Sequence, residues 1–318
     1  MYLQQKPRPQ MQTALSTAEI LREYQSEVDV TPGTADRYVY MIDRLWVKWM
    51  AQKRLDYRQP TENELLRYKR HLIEKGTASA YINLIISALR SYFRWLERKG
   101  YYPNIASGLK PVPRDHDFKK PPLLAPDVAN IFQQINTGTI RGRRDKILIG
   151  LLFSCGLRLN EALSLDIKHV DLVRNVISIK GKGRINRQQI PIPAALAKQI
   201  NGYLAERDDP NPDEPLFKAH KTDIYDEIGS PRLKRGSAYN IMKRYLVKAG
   251  YDKPGLSAHS LRHGAAVTML QKGATLHEIS MFLRHTNLNI SRLYIQAAEK
   301  EVLNEKAYES QLFEMING

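Results

Sequence analysis

The chain has 318 residues, a length typical of two domains, and its 42% hydrophobic content excludes an intrinsically disordered protein. Its 49 Lys and Arg residues against 33 Asp and Glu residues give a net charge of +16. This charge suits a polyanionic partner such as nucleic acid, and a basic protein without such a partner fits it as well. The single cysteine, Cys155, excludes an intrachain disulfide and a cysteine-rich zinc finger, as expected in a reducing cytosol, and no apolar run is long enough to span a membrane.

The first hundred residues predict a bundle of four helices with short connections. Residues 1–13, which include Lys6 and Arg8 but no apolar core, predict a flexible basic arm and not a signal peptide. The predicted helix starts are Ser16 or Thr17, Thr34, Thr61 with Glu64 as a capping box, and Ala78, and the last two helices end before Gly76 and Gly100. The apolar face predicted for the fourth helix is Tyr81, Leu84, Ile85, Ala88, Leu89, Tyr92, Phe93 and Leu96.

A proline-rich basic segment separates this bundle from the rest of the chain. Prolines recur between residues 104 and 126 with lysines and an arginine among them, so the segment is expected to be extended and semi-rigid. Its charges either face solvent or follow a phosphate backbone. The predicted organisation is an arm at 1–13, a helical domain at 14–105, a linker at 106–123 and a second domain at 124–318.

The second domain is predicted to be helical apart from one hairpin. Val176–Lys180 and Gln188–Ile192 have strand-like alternation and flank a turn at Gly181-Lys182-Gly183. The predicted helices cover about residues 126–134, 144–153, 160–165, 194–206, 237–249, 260–271, 275–283 and 289–297, followed by a tail helix from about 299. The fold class expected from the sequence is therefore mainly α with a small β-hairpin.

Two places in the second domain carry basic residues in positions suited to a phosphate. Arg158 follows a glycine at a helix start and Glu161 lies one turn on, so the carboxylate can orient the guanidinium toward a phosphate; a surface ion pair is the alternative. Lys182 and Arg184 lie at the hairpin tip, where a basic residue between glycines can reach into a groove; a solvated basic turn is the alternative.

Two further places add proton carriers and a candidate nucleophile. His259 and Arg262 are three residues apart, so a helix places an imidazole beside a guanidinium. A metal site is less favoured there, because no nearby carboxylate completes a ligand set. His285 and Tyr294 follow, nine residues apart. A tyrosine, whose pKa is normally about 10, becomes a nucleophile when nearby cations favour the phenolate or a base takes its proton; a half-buried core aromatic is the alternative.

In this order, the residues resemble the tyrosine recombinases, also called the lambda-integrase family. The specific matches are Gly156-Leu157-Arg158 with Glu161, His259-x-Leu261-Arg262-His263, and Leu283-x-His285 followed by Tyr294. The resemblance covers nearly the whole chain and implies a SAM-like core-binding bundle and a catalytic domain in the minimal, Xer-like arrangement. One departure is Arg284, where family members often have Gly. It is expected to add positive charge near the nucleophile, or to face solvent, without affecting catalysis.

The resemblance implies an enzyme that cleaves and rejoins DNA at specific sites without ATP, a metal or another cofactor. The resemblance implies that Tyr294 is the nucleophile that forms a 3′-phosphotyrosyl bond, that Arg158 and Arg262 bind the non-bridging oxygens, and that Lys182 protonates the leaving 5′-oxygen. It implies that His259 aids proton transfer at Tyr294 and that His285 donates a hydrogen bond to the phosphate. Glu161 is implied to support the site by orienting His259 or Arg158. DNA contacts are predicted at Arg37, Arg44, Lys48, Arg90, Arg94, Lys119, Lys120 and Arg184.

Family members act as a homo-tetramer on two double-stranded DNA sites and exchange strands through a Holliday junction, which places this chain in the cytoplasm at the nucleoid. The tail helix at about 299–315 is expected to pack onto a neighbouring protomer, or else onto its own domain. A type IB topoisomerase and a DNA-binding protein without catalysis remain as alternatives. The DNA target, the biological role (chromosome-dimer resolution, phage integration or transposon movement) and any partner recombinase or motor protein are left open.

Overall fold

The computed structural model describes residues 9–113, 121–181, 186–207, 211–219, 231–251 and 253–284. The chain divides into two compact units, Met1–His116 and Asp117–Gly318. Both are mostly helical, and a small sheet lies in the second, in agreement with the predicted fold class. Within the described ranges, no helix combines the length and the apolar character needed to cross a membrane.

The first unit is a helical bundle. Its helices are α1 (Thr17–Glu27), α2 (Pro32–Tyr40), a π-helical segment (Met41–Val47), α3 (Lys48–Gln52), α4 (Glu62–Glu74) and α5 (Ser79–Arg98). The predicted starts of α1 and α4 are confirmed, because Ser16 with Glu19 and Thr61 with Glu64 form reciprocal capping boxes.

The second helix begins earlier and is less regular than predicted. It starts at Pro32 and not at Thr34. Proline suits the first turn because its φ is already close to the helical value, and because the backbone N–H that proline lacks would have no partner within the helix there. From Met41 to Val47 the backbone widens into a π-helix, with Ile42 and Trp46 buried against the bundle. The spacing of apolar residues predicts a helix here but does not distinguish α from π geometry.

Aromatic side chains fill the core of the first unit. Tyr24 meets Tyr92 and Trp95 edge-on, and Trp46 stacks on Trp49 with 5.6 Å between ring centroids. Most of the face predicted for α5 is buried, but Tyr81 is 41% exposed, so its assignment to the core was wrong. The buried face of α5 is instead completed by Ile82, Ile86 and Trp95.

Segments on both sides of the bundle are attached to it. In residues 9–13, the backbone N–H of Gln12 donates to the carbonyl of Tyr101 at 2.8 Å, so this end of the predicted arm is fixed to the first unit. In the predicted linker, Leu109 is buried in the same core, and Asn83 exchanges two hydrogen bonds with the backbone of Val112.

The second unit contains seven described α-helices and three strands. The helices are α6 (Ala125–Gln133), α7 (Ile140–Ser154), α8 (Leu159–Leu163), α9 (Ala194–Ala205), α10 (Arg235–Lys248), α11 (Ala258–Gln271) and α12 (Leu276–Leu283). The strands are β1 (Val170–Asp171), β2 (Val176–Lys180) and β3 (Arg187–Pro191), in the antiparallel order β1-β2-β3. The predicted pairing of two strands is confirmed, with Lys180 opposite Arg187, and β1 is too short for its two residues to show a pattern.

A buried ion pair connects three segments of this unit. Arg144 and Asp145, adjacent on α7, are both fully buried. One oxygen of Asp145 accepts from Arg144, and the other accepts from Arg244 and Tyr245 on α10 at 3.0 Å each. Arg144 also donates to the carbonyl of Lys218. A buried charge pair is tolerated when both groups are hydrogen-bonded in this way.

The chain enters the second unit across α11. The backbone N–H of Leu123 donates to the carbonyl of Ser260 at 3.0 Å, and Leu123 is buried in the main core. A β-carbon on Gly264 would lie 1.6 Å from the carbonyl oxygen of Leu123. Glycine is therefore required at 264 for the incoming backbone to lie directly on the helix.

We predict that Gly264→Ala destabilises the second unit by about 3 kcal/mol, because backbone must move to admit the methyl group. The three tryptophans, Trp46, Trp49 and Trp95, all lie in the first unit. The loss should therefore appear as an earlier urea transition in far-UV circular dichroism that tryptophan fluorescence does not follow.

The matched control is Gly202→Ala in α9, where a β-carbon would meet no heavy atom within 4 Å. Alanine is there expected to stabilise the helix by about 0.5–1 kcal/mol. Equal transitions for the two variants would show that Leu123 does not lie against Gly264.

Candidate active site

The centre of the site is the turn that ends α7. Gly156 has a left-handed φ of +54°, and a β-carbon there would lie 2.6 Å from the Phe282 ring. Its carbonyl oxygen is the acceptor around which several side chains meet. Burial raises the pKa of the neighbouring Cys155 thiol to about 12, although Arg284 acts in the opposite direction, so this thiol is not a competing nucleophile near neutral pH.

Arg158 and Glu161 form a close pair at the start of α8. One carboxylate oxygen of Glu161 accepts from the Arg158 backbone N–H at 2.8 Å, as in a capping box, and the other accepts from its guanidinium at 2.7 Å. The Arg158 side chain is 36% exposed, whereas that of Glu161 is 4% exposed. A buried carboxylate therefore fixes a guanidinium that still presents surface to solvent.

Helix α11 supplies a second arginine. The Arg262 guanidinium donates to the carbonyls of Gly156 and Leu283, and the residue is 4% exposed. It joins the turn after α7 to the end of α12. His259 lies one turn earlier in the first turn of the same helix and is exposed.

Arg284 is the third arginine of this cluster. Of the two alternatives expected for it, the one in which it faces solvent is wrong, and the one in which it adds charge near Tyr294 stays a prediction. It ends α12 in the left-handed conformation, with φ 55° and ψ 43°, which costs a residue other than glycine about 1 kcal/mol. Its side chain is only 6% exposed. It donates to the carbonyls of Gly156 at 2.7 Å and Cys155 at 3.1 Å, and to Glu161 at 3.2 Å.

The electrostatics of the cluster keep Glu161 ionised. Burial acts to raise its pKa, but the hydrogen bonds from Arg158 and the charges of Arg284 and Arg158 outweigh burial and hold the pKa below its usual value. Burial in turn lowers the pKa of Arg284, and Glu161 opposes that shift. One carboxylate thus compensates two guanidinium groups.

With this geometry established, the chain can be compared with known proteins. A model of the phage integrase family matches residues 123–301, and a model of the phage integrase N-terminal SAM-like domain matches residues 19–100. The chain belongs to the phage integrase family of tyrosine recombinases. The recombinase type expected from the sequence motifs is thereby confirmed.

Named relatives cover most of this tyrosine recombinase. The XerA recombinase of Thermococcus kodakarensis is 28% identical over 94% of this chain and 98% of its own length, and the XerD recombinase of Proteus mirabilis is 25% identical over 80% of each. Among solved structures, XerH bound to a palindromic difH substrate matches with a TM-score of 0.72, covering 93% of this chain and 86% of that one at 21% identity. A lambda integrase dimer on a core site matches at 0.65, over 88% of this chain and 77% of that one at 14% identity. These two similarities concern the fold.

The described part of the recombinase brings three predicted site residues together. Arg158 is bonded to Glu161, Arg262 is bonded to the Gly156 carbonyl, and Arg284 joins the two by binding both Glu161 and that carbonyl. His259 lies on the helix that carries Arg262. Of the two partners considered for Glu161, Arg158 is in direct contact with it. The remaining predicted catalytic residues, Lys182, His285 and Tyr294, lie outside the described residues. The sequence analysis did not predict that Arg284 is buried and bonded to Glu161. This burial depends on the left-handed backbone of Arg284 at the end of α12.

The predicted DNA contacts of the first unit lie mainly on its surface. Arg37, Arg44, Lys48 and Arg94 are exposed, and Arg90 is half-buried. Arg90, Arg94 and Arg98, spaced four residues apart on α5, line one side of an open groove of about 530 Å³. The sequence prediction omitted Arg98 although it continues the same spacing. The other predicted contacts, Lys119, Lys120 and Arg184, lie outside the described residues.

Among the described residues, no group of three or more His, Cys, Asp or Glu side chains is arranged to hold a metal ion. In the described part of the site, Arg158, Arg262 and Arg284 carry positive charge.

We predict that Gly156→Ala destabilises the second unit by about 3 kcal/mol. About 1 kcal/mol comes from the left-handed backbone and the rest from overlap with the Phe282 ring. Gly250→Ala is the control, because Gly250 has a φ of +83° but no heavy atom within 4 Å of an added β-carbon. It should cost only about 1 kcal/mol. Urea unfolding followed by far-UV circular dichroism measures both, and equal losses would contradict the packing described for Gly156.

Proposed function

We propose that this chain recombines DNA at specific sites by forming a covalent bond between Tyr294 and a 3′-phosphate. The observation that carries the proposal is the Arg158 guanidinium, which is fixed by a buried carboxylate while the Arg158 side chain remains 36% exposed, in the same unit as Arg262 and the exposed His259. A preorganised guanidinium of this kind stabilises the negative charge that develops on a phosphate during displacement.

In the proposed cleavage step, the phenolic oxygen of Tyr294 attacks the scissile phosphorus. The new bond joins phosphorus to the tyrosine oxygen, and the bond between phosphorus and the 5′-oxygen breaks. Lys182 gives a proton to the departing 5′-oxygen, and His259 assists removal of the tyrosine proton. His285 donates a hydrogen bond to the phosphate.

Rejoining reverses these events with a different strand. A 5′-hydroxyl attacks the phosphotyrosine, a phosphodiester forms, and Tyr294 is released with its proton. Because the phosphotyrosyl bond retains the energy of the phosphodiester, the cycle needs no ATP. The arginines provide the charge stabilisation that a metal ion provides in other phosphoryl-transfer enzymes.

The proposed partner is double-stranded DNA carrying specific sites, in the cytoplasm at the nucleoid. Four copies of the chain hold two sites and exchange strands in pairs through a Holliday junction. The tail segment from about 299, which lies outside the described residues, is proposed to form a helix that packs onto a neighbouring copy through Val302, Leu303, Tyr308, Leu312 and Met315. The net charge of +16 supports a polyanionic partner.

We predict that Tyr294→Phe abolishes covalent attachment to DNA, because phenylalanine lacks the attacking oxygen. A target site is first selected from a random-sequence duplex library by binding to the purified chain. Duplexes with that site and a nick at successive central positions then trap the cleaved complex, since the short 5′-hydroxyl strand diffuses away. The adduct is measured on a denaturing gel.

The control for this experiment is Tyr239→Phe, since Tyr239 is an exposed tyrosine of the second unit outside the predicted catalytic set, and its adduct should match that of the original chain. Adduct formation by Tyr294→Phe would exclude Tyr294 as the nucleophile. Tight, site-selective binding without any adduct would favour a DNA-binding protein without catalysis. Relaxation of supercoiled DNA that lacks the selected site would favour a topoisomerase.

We predict that Arg94→Ala weakens binding to the selected duplex and lowers the magnitude of the log–log salt slope of the affinity by about 1, as for the loss of one phosphate contact. Arg22→Ala removes the same charge from an exposed position on α1 that does not line the groove, and should leave the slope unchanged. Fluorescence anisotropy between about 50 and 200 mM salt provides the measurement. Equal slopes for both variants would show that the groove does not contact DNA.

A further inference from the structure

Arg284 occupies a backbone position where an arginine is not expected. Its φ of 55° and ψ of 43° place it at the left-handed end of α12, a conformation that glycine adopts without strain. The side chain nonetheless turns inward and is almost completely buried. The contacts of the buried guanidinium must therefore offset the cost of this backbone conformation.

Besides the carbonyl of Phe282 at 2.8 Å on its own segment, Arg284 contacts residues on both sides of Arg158 in the sequence. One terminal nitrogen donates to the carbonyl of Cys155 at 3.1 Å and the other to that of Gly156 at 2.7 Å, so the guanidinium spans the turn that leads into Arg158. The second nitrogen also reaches a carboxylate oxygen of Glu161 at 3.2 Å. The planar fork of arginine can make these bonds together, whereas a lysine ammonium provides a single centre.

Glu161 transmits these contacts to Arg158. The carboxylate oxygen that receives Arg284 also receives the Arg158 backbone N–H at 2.8 Å, and the other oxygen receives the Arg158 guanidinium at 2.7 Å. Without Arg284, this carboxylate loses one of the two guanidinium groups that hold it. The exposed guanidinium of Arg158 would then be free to leave its present orientation.

We propose that Arg284 is a positioning residue, which aims the Arg158 guanidinium at the scissile phosphate by holding Glu161 and the Cys155–Gly156 turn. The inference rests on the proposed role of Arg158 as a phosphate ligand. It replaces the expectation that an arginine at this position has no influence on catalysis. Arg284 contacts no reacting atom in this scheme, so its effect belongs to the rate of the chemical step and not to DNA affinity.

The principal test compares Arg284→Gly with the original chain on the nicked duplex carrying the selected site. Glycine removes the guanidinium and suits the left-handed backbone, so no strain is added. The rate of adduct formation at saturating protein should fall about 10–100-fold, as for loss of a group that orients a ligand, while the dissociation constant of the duplex changes less than about 3-fold. An unchanged rate, or a fall in affinity that accounts for the slower reaction, overturns the proposal.

A control variant separates positioning from a general loss of structure. Arg207→Ala removes another arginine of the second unit that donates to two backbone carbonyls, those of Pro215 and Leu216. Its saturating rate should stay within about 3-fold of the original. A defect as large as that of Arg284→Gly would show that any lost structural arginine slows cleavage, and would overturn the proposal.

A double-mutant cycle tests the route of the effect. Arg158→Lys retains a charge at the phosphate but removes the fork bound to Glu161, so adding Arg284→Gly should slow it further by less than about 3-fold. Full multiplication of the two single effects would show that Arg284 does not act through Arg158.

Arg284→Lys keeps the test available if the glycine variant does not fold. One ammonium cannot replace all the bonds to Glu161 and the two carbonyls, so the expected rate lies about 3–30-fold below the original; a rate equal to the original overturns the proposal. Different results would reject the proposed function and the positioning role of Arg284. No adduct from the original chain on any nicked duplex rejects the proposed function, whereas an adduct from the original chain with an equally fast Arg284→Gly rejects only the positioning role.

Discussion

The described part of the catalytic unit depends on one carboxylate and one backbone carbonyl that three arginines share. Glu161 receives Arg158 and Arg284, and the Gly156 carbonyl receives Arg284 and Arg262. Guanidinium groups repel one another, so such a cluster is stable only if the Gly156 carbonyl is in place between them and the Glu161 carboxylate is ionised. Removal of one partner from a buried ion pair costs about 3–5 kcal/mol, which makes Glu161 as important for stability as for the site.

This arrangement also determines which helices must meet. The acceptors belong to the end of α7 and the start of α8, while the donors come from α8, α11 and the end of α12. Gly156 permits the meeting because its left-handed backbone turns the chain sharply, and because the absence of a side chain leaves room for Phe282. The same small volume therefore joins the consecutive helices α7 and α8 to α11 and α12, which lie about a hundred residues further along the chain.

Much of the fold follows from local signals in the sequence. The capping boxes at Ser16 and Thr61 place two helix starts, and alternation places both strands of the hairpin. Signals of this kind succeed because they depend on hydrogen bonds within three or four residues. The two-residue strand β1 and the exposure of Tyr81 depend on tertiary neighbours, and no local pattern predicts them.

The same difference between local signals and tertiary contacts applies to the site. Residue types, their order and the family resemblance make Arg158, Glu161 and Arg262 candidates from the sequence, because the planar fork of arginine suits a phosphate and a nearby carboxylate can orient it. The burial of Arg284 could not be predicted in this way, since it depends on a left-handed residue at the end of one helix facing the turn after another. The Arg144–Asp145 pair could not be predicted for a similar reason, because Asp145 on α7 receives Arg244 and Tyr245 of α10 only after folding.

The π-helical segment from Met41 to Val47 has a consequence for the surface of the first unit. It continues directly from α2 into α3, so the helical path from Pro32 to Gln52 is unbroken, but each of its turns contains more residues than an α-helical turn. Side chains beyond it therefore point in directions that an ordinary helical wheel does not give. A wheel drawn with α-helical spacing from Arg37 through this segment therefore assigns Lys48 to the wrong face of the helix.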